Sequence, residues 1–178
     1  MADTTTKTWG IGGRTITVAV TRTLAAAGDY AAEDVLSDSA TGGAGTAITF
    51  AGIGKNKGAG GYITRAGILC STTALAPRLT LYLFNNTPTS ELDDNAGNTA
   101  VLTADRPNYI GKIDFPAMED LGGNSETLCT PSTYGNLPLA FNCDDDDNSL
   151  YGILVTRDAI TGEAANMTVV VSLTSEIQ

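Results

Sequence analysis

The stretch between residues 77 and 115 constrains the fold of this 178-residue chain most, because two apolar strand patterns flank a long polar loop there. Leu79, Leu81 and Leu83 fall at every second position, which places them on one face of a strand. Tyr82 and Phe84 line the opposite face. A strand that is apolar on both faces needs cover on both sides, so we predict that it lies near the middle of a sheet.

The alternation restarts after the loop, in the segment Tyr109-Ile110-Gly111-Lys112-Ile113-Asp114-Phe115. We predict that Tyr109, Ile113 and Phe115 share one face of this second strand and that Lys112 and Asp114 share the other.

Strands are also predicted at residues 14–23, 48–50, 62–71, 137–143, 150–156 and 167–173, which gives about eight. Residues 14–23, 137–143 and 167–173 show period-two alternation, whereas 150–156 are apolar on both faces. Residues 24–36 are rich in alanine but show no amphipathic stripe, so we interpret them as a loop. Residues 116–133 are predicted to be irregular, with at most one helical turn at 117–121. The pattern predicts an all-β chain, residues 1–178 forming one antiparallel β-sandwich, jelly-roll-like, with two four-stranded sheets and long loops.

The predicted core consists of the apolar residues that alternate in these strands. They are Ile16, Val18, Val20, Phe50, Leu79, Leu81, Leu83, Ile113, Leu139, Phe141, Leu154, Val169 and Val171.

Charge and hydropathy exclude two classes of partner. Ten basic and twenty acidic residues give a formal net charge of −10, whereas nucleic-acid binding requires a phosphate-neutralising surface. No apolar run approaches the roughly 20 residues of a membrane span. The segment Met1-Ala2-Asp3-Thr4-Thr5-Thr6 has neither the cationic start nor the apolar centre of a secretory signal. We therefore expect a protein made in the cytoplasm, with no nucleic-acid or membrane partner.

Three cysteines, Cys70, Cys129 and Cys143, are an odd number at wide spacings, which implies neither a disulfide framework nor a CxxC metal site. We expect three buried thiols without a disulfide.

The composition argues against an enzyme. The chain has no histidine, which removes Ser-His and Cys-His nucleophile pairs and the commonest zinc ligand. Residues 54–61 are rich in glycine and lysine but lack the GxxxxGK[ST] order of a phosphate-binding loop. Opposed carboxylates for glycoside cleavage stay possible in principle, but no pair stands out. We predict no catalytic residue and no cofactor.

An acidic run is the one stretch with metal-binding potential. Asp144, Asp146 and Asn148 match the first three ligand positions of a calcium loop. Ser149 then stands where the loop needs glycine, and Val155 stands where it needs a bidentate glutamate. A solvated turn is the favoured interpretation, and calcium is the alternative.

Residues 1–13 contain the only tryptophan, a threonine run and Gly10-Ile11-Gly12-Gly13, a composition that builds no core element of its own. We interpret them as an N-terminal arm that binds a partner, because tryptophan is enriched among residues that dominate interface energy. The alternative is that Trp9 caps the end of the domain's own sandwich. The candidate partner-binding residues are Met1, Thr4, Thr5, Thr6, Trp9 and Ile11.

Short motifs along most of the chain, from about residue 15 to 173, resemble those of small structural proteins of tailed bacteriophages. They are Tyr30 with Asp34, Ile48-Thr49-Phe50, the glycines before Tyr62-Ile63, Leu81-Tyr82-Leu83-Phe84 followed by Pro88, Asp94-Asn95, Tyr109-Ile110-Gly111, and Tyr151-Gly152.

The resemblance implies a β-sandwich without catalytic residues that decorates or cements the phage head by binding the major capsid protein. It places the protein on the capsid surface of the virion, as a homo-oligomer with a trimer favoured. One alternative is a receptor- or glycan-binding module of a tail fibre or spike, in which Tyr134 or Tyr151 would stack on sugars. The other is a glycosidase on a sandwich fold.

Overall fold

The computed structural model of the chain describes residues 14–25, 28–72, 76–133, 136–161 and 167–177. Among these residues, 45% are in strands and 4% in helix, and the strands pair in antiparallel fashion. The predicted all-β sandwich is therefore confirmed. Within the described ranges, no helix has the length and apolarity that crossing a bilayer requires.

Ten strands and one short 3₁₀ helix, Thr103–Asn108, make up the described secondary structure. The strands are β1 Arg14–Thr23, β2 Ile48–Phe50, β3 Gly60–Cys70, β4 Leu79–Phe84, β5 Tyr109–Asp114, β6 Glu119–Asp120, β7 Ser125–Cys129, β8 Leu139–Asn142, β9 Leu150–Thr156 and β10 Thr168–Ile177. The described part of the segment 24–36 contains no helix and forms isolated bridges, as the loop prediction expected.

The strands form a six-stranded sheet and a four-stranded sheet, not the two four-stranded sheets expected. The larger sheet has the order β1-β10-β3-β7-β6, with β8 pairing with β3 beside β7. The smaller sheet has the order β2-β9-β4-β5. Side chains from both sheets meet in one apolar core, and the jelly-roll strand order stays a prediction.

Most of the predicted core is buried, and the exceptions lie near sheet edges. Phe50, Leu81, Leu83, Ile113 and Val171 are each 0% exposed. Ile16, Val18, Val20 and Leu139 are only half-buried. Strand β1 has a partner on one side alone, so its inward side chains have fewer neighbours than those of a central strand.

Strand β4 lies between β9 and β5, which confirms the prediction drawn from its two apolar faces. Its leucines enter the main core, whereas Tyr82 and Phe84 join a second apolar cluster on the outer face of the four-stranded sheet. Residues from the long loops, including Val35 and Leu92, complete this second cluster. The outer face of the smaller sheet is therefore covered by the chain itself.

The predicted face of Tyr109 is wrong because the β4–β5 pairing shifts register. Phe84 pairs with Tyr109, but Leu83 pairs with Gly111, so one strand carries an extra residue at Ile110. This bulge reverses the alternation. Tyr109 accordingly packs in the second cluster, with its ring centroid 5.5 Å from that of Phe84, while Ile113 lies in the main core.

Residues 116–133 are more ordered than predicted, since they contain β6 and β7 and no helical turn at 117–121. The inward-facing residues of β7 are Ser125, Thr127 and Cys129. Because two of them are polar, the sequence of β7 shows no alternation of apolar and polar residues. Their polar atoms are satisfied by backbone carbonyls of other segments, for example Ser125 Oγ by Thr72 O at 2.9 Å. Such bonds exist only in the folded chain, so the sequence pattern could not reveal them.

Candidate functional site

The residues predicted to bind a partner lie outside the described residues. Met1, Thr4, Thr5, Thr6, Trp9 and Ile11 all precede Arg14, the first described residue and the start of β1. The arm therefore leads into a strand that pairs with β10 on one side and, among the described strands, has no neighbour on the other.

The outer face of the six-stranded sheet is exposed where it is formed by β1, β10 and β3, and we call this region the open face. Its β1 residues, Thr15, Thr17, Ala19, Thr21 and Thr23, are all exposed. Leu69 of β3 is 37% exposed, and Tyr62 is 42% exposed. An antiparallel sheet commonly has one face on the core and one face in solvent, as the larger sheet has here. The smaller sheet differs, because loop residues cover its outer face as well.

The open face is nearly neutral, although the chain carries a net charge of −10. From the register of the three strands, its charged residues are one arginine, Arg65, and one glutamate, Glu176. Hydroxyl groups dominate the remainder, and Thr17 Oγ1 lies 3.0 Å from Thr174 Oγ1 across β1 and β10. The acidic excess therefore lies elsewhere on the molecule.

The acidic run forms a turn whose side chains bind one another and the backbone. Asp144 Oδ1 accepts a hydrogen bond from the Asp146 backbone N–H at 3.1 Å. Asp147 accepts from the Ser149 hydroxyl at 2.9 Å and the Tyr151 hydroxyl at 2.7 Å. Among the described residues, no group of three or more possible ligands is arranged to hold a metal ion. The Asp147 carboxylate is thus engaged by neighbouring hydroxyls, and the solvated turn stays a prediction.

The structure describes one of the two tyrosines proposed for sugar stacking. Tyr134 lies outside the described residues. Tyr151 is half-buried in the second apolar cluster, and its hydroxyl is engaged by Asp147.

The cysteines are buried thiols, as expected, and none forms a disulfide. Burial raises the pKa of the Cys129 and Cys143 thiols to about 11. Since the thiolate is the nucleophilic form, both side chains are poor nucleophiles at neutral pH.

An open groove of about 540 Å³ lies at one end of the sandwich, between β3 and β8 of the larger sheet and β5 of the smaller one. No sequence motif predicts a binding role for its residues. They come from four separate regions of the chain, residues 60–62, 85, 107–110 and 140–142, which strand pairing and the position of the 3₁₀ helix bring together.

The sequence matches no protein-family model, and a search of curated proteins finds no match.

Proposed function

We propose that this chain is a non-enzymatic structural protein of a tailed-bacteriophage virion, a decoration or cement protein that binds the major capsid protein. The resemblance of its short motifs to such proteins supplies the class. The structural observation that supports the role is the open face, a nearly neutral, exposed sheet surface on an otherwise acidic molecule.

A neutral contact surface on an acidic protein suits a subunit that must stay monodisperse before it assembles. Net charge keeps free copies apart in solution. Attachment through a neutral face brings few like charges together, so close contact does not have to overcome this repulsion. Exposed Leu69, Tyr62 and the threonine methyl groups supply the apolar contact area.

The size of the open face indicates that it needs help from other parts of the chain. At about 3.3 Å per residue and 4.8 Å between strands, three ten-residue strands project an area of about 450 Å². A standard interface buries roughly 800 Å² on each partner. The N-terminal arm adjoins β1 in sequence, so it is well placed to supply the remainder. The exposed edge of β1 offers a further pairing surface to a second copy of the chain.

Mutation of the open face tests this function against a matched control. Leu69→Arg places a large charged group on the open face, opposite Glu126 in the strand register, so the new charge has an acidic neighbour and folding is retained. Leu102→Arg makes the same change at a leucine that is 40% exposed and lies outside the six-stranded sheet, just before the 3₁₀ helix.

The assay is co-sedimentation of each purified protein with capsids that lack it. We expect Leu69→Arg to weaken capsid binding at least tenfold (about 1.4 kcal/mol) and Leu102→Arg to bind as the wild type does. Absence of binding by the wild-type protein would overturn the proposed function. Equal capsid binding by both variants would show that the open face is not part of the attachment surface.

A further inference from the structure

The groove at the end of the sandwich is lined by uncharged residues, some polar and some apolar. Those that matter here are Tyr62, Asn85, Asn108, Tyr109, Phe141 and Asn142. Among the described residues that line it, none is an aspartate, glutamate, lysine or arginine. In a chain with thirty charged residues, this concentration of amides and aromatic rings sets the groove apart.

Asn85 carries an unsatisfied polar atom at this groove. Its side-chain Oδ1 is buried and has no hydrogen-bond partner among the described residues. An unpaired buried acceptor costs about 1–3 kcal/mol, so such an atom in a folded protein calls for a partner. The backbone at Asn85 is fixed, because its N–H donates to Asn108 O at 2.9 Å, but the terminal torsion of asparagine is soft. The amide can therefore turn toward a ligand without moving the strand.

The wall that β3 contributes contains two glycines. A Cβ at Gly60 would lie 2.3 Å from Asn142 Oδ1, and a Cβ at Gly61 would lie 2.4 Å from Glu176 O. The Gly61 contact is with backbone, so that position requires glycine, whereas Asn142 Oδ1 ends a flexible side chain that can move away from a Cβ at Gly60. The β3 wall of the groove therefore presents two glycines beside the exposed ring of Tyr62.

We infer that this groove binds a neutral saccharide. Sugar hydroxyls donate and accept hydrogen bonds, which matches amide groups that do the same. The apolar C–H faces of a sugar ring pack on aromatic side chains such as Tyr62, which is 42% exposed. The volume lies within the roughly 300–1,000 Å³ of small-ligand sites. Phosphorylated and carboxylated ligands are disfavoured, because the lining supplies no cation to an acidic protein.

The groove and the open face share Tyr62, but Asn85 lines the groove alone and Leu69 lies on the open face alone, so variants at these two positions test the two proposals separately. Its test is a titration of the ¹⁵N-labelled full chain, followed by NMR, with glucose, galactose, mannose and N-acetylglucosamine at millimolar concentrations. Glucuronate and glucose 6-phosphate serve as charged counterparts. We expect at least one neutral sugar to shift the amide signals of Asn85, Asn108 and Tyr62, and the charged counterparts to bind at least tenfold more weakly.

Two variants locate the site. Asn85→Ala removes the unsatisfied oxygen and Tyr62→Ala removes an exposed ring, so both should fold, which the thermal unfolding midpoint checks. Each should weaken sugar binding at least tenfold, whereas Leu69→Ala, at an exposed position of the same strand outside the groove, should not. The inference is overturned if no neutral sugar shifts the groove signals, if the charged sugars bind as well, or if binding persists unchanged in both variants.

Discussion

The hydroxyl of Ser90 donates a 2.6 Å hydrogen bond to the buried carboxylate of Asp105, which joins a long loop to the 3₁₀ helix. The same carboxylate accepts bonds from the Ser90 N–H and from the N–H and hydroxyl of Thr89. Burial of Asp105 raises its pKa, but these bonds from Ser90 and Thr89 outweigh that effect, so the pKa lies below its usual value. The carboxylate thus holds Thr89 and Ser90, in the loop after β4, against the 3₁₀ helix.

We expect Asp105→Asn to destabilise the protein by about 1–3 kcal/mol. The new amide NH₂ would face the N–H and hydroxyl donors of Thr89 or Ser90 and leave buried donors without an acceptor. The measurement is urea unfolding at pH 7. Asp146→Asn is the control, since its side chain is exposed and the change should stay within about 0.5 kcal/mol. Similar losses in the two variants would contradict the role of Asp105.

Stability should fall in acid. A hydrogen bond from the Arg78 side chain, with further help from the Arg78 backbone, lowers the pKa of Asp158 to about 2, against about 3.9 in the unfolded chain. Asp105 is lowered in the same direction. The unfolded state therefore binds more protons below pH 4, and the stabilisation is lost as the pH falls from about 4 toward 2. The urea midpoint of unfolding should therefore decrease as the pH is lowered from about 4 to 2. A midpoint that does not change with pH would contradict the lowered pKa values of Asp158 and Asp105.

Leu81→Asp should abolish folding. Leu81 is 0% exposed in the central strand β4, and a Cβ at Gly152 in the adjacent strand would come within 2.9 Å of its Cδ1, so no water can reach this position. A carboxylate there would be buried without a partner. Thr21→Asp, at an exposed position of β1, is the matched control and should fold. Circular dichroism and size-exclusion chromatography report the outcome, and a soluble, folded Leu81→Asp protein would refute the placement.

All three thiols should be recovered after unfolding without reductant. In the native protein at pH 8, Cys129 and Cys143 should react slowly with a disulfide reagent, because both are buried and their pKa is about 11. A titration that yields one thiol in denaturant would reveal a disulfide. Rapid native-state reaction of all three would contradict the burial.

Deletion of residues 1–13 should leave the sandwich folded and weaken capsid binding. The strands that form the core begin at Arg14, and truncation of a tryptophan anchor typically costs at least about 2 kcal/mol of binding. Unfolding curves check the fold, and co-sedimentation with capsids that lack the protein checks attachment. Trp9→Ala alone should reproduce most of the loss. Wild-type affinity in the truncated protein would show that the arm is not an attachment device.

The strands that the sequence predicts well are those whose inward positions are apolar. Strands β1 and β10 alternate locally, whereas β4 and β9 are apolar on both faces, and a period of two fixes which side chains share a face without knowledge of the partner strand. The central place of β4 follows from the same logic, since both of its faces need cover. These features depend only on the order of residues along the chain.

Other features depend on contacts between distant segments. Strand β7 buries Ser125 and Thr127, which are acceptable inside only because carbonyls of other segments bond to them. The bulge at Ile110 arises where β5 pairs with β4, and it alone decides the face of Tyr109. A local pattern cannot specify either outcome, because the free energy that decides it comes from partners that are remote in sequence.

The candidate sites divide in the same way. Composition alone shows that the chain has no histidine, three widely spaced cysteines and an acidic excess, which argues against Ser-His and Cys-His nucleophile pairs and a nucleic-acid partner. Chain packing is needed to show that long loops cover one sheet while the open face of the other stays exposed, and that Tyr62, Asn85 and Asn142 meet at one groove. The physical reason is that exposure and proximity are properties of packed sheets, set by which strands pair and in which register.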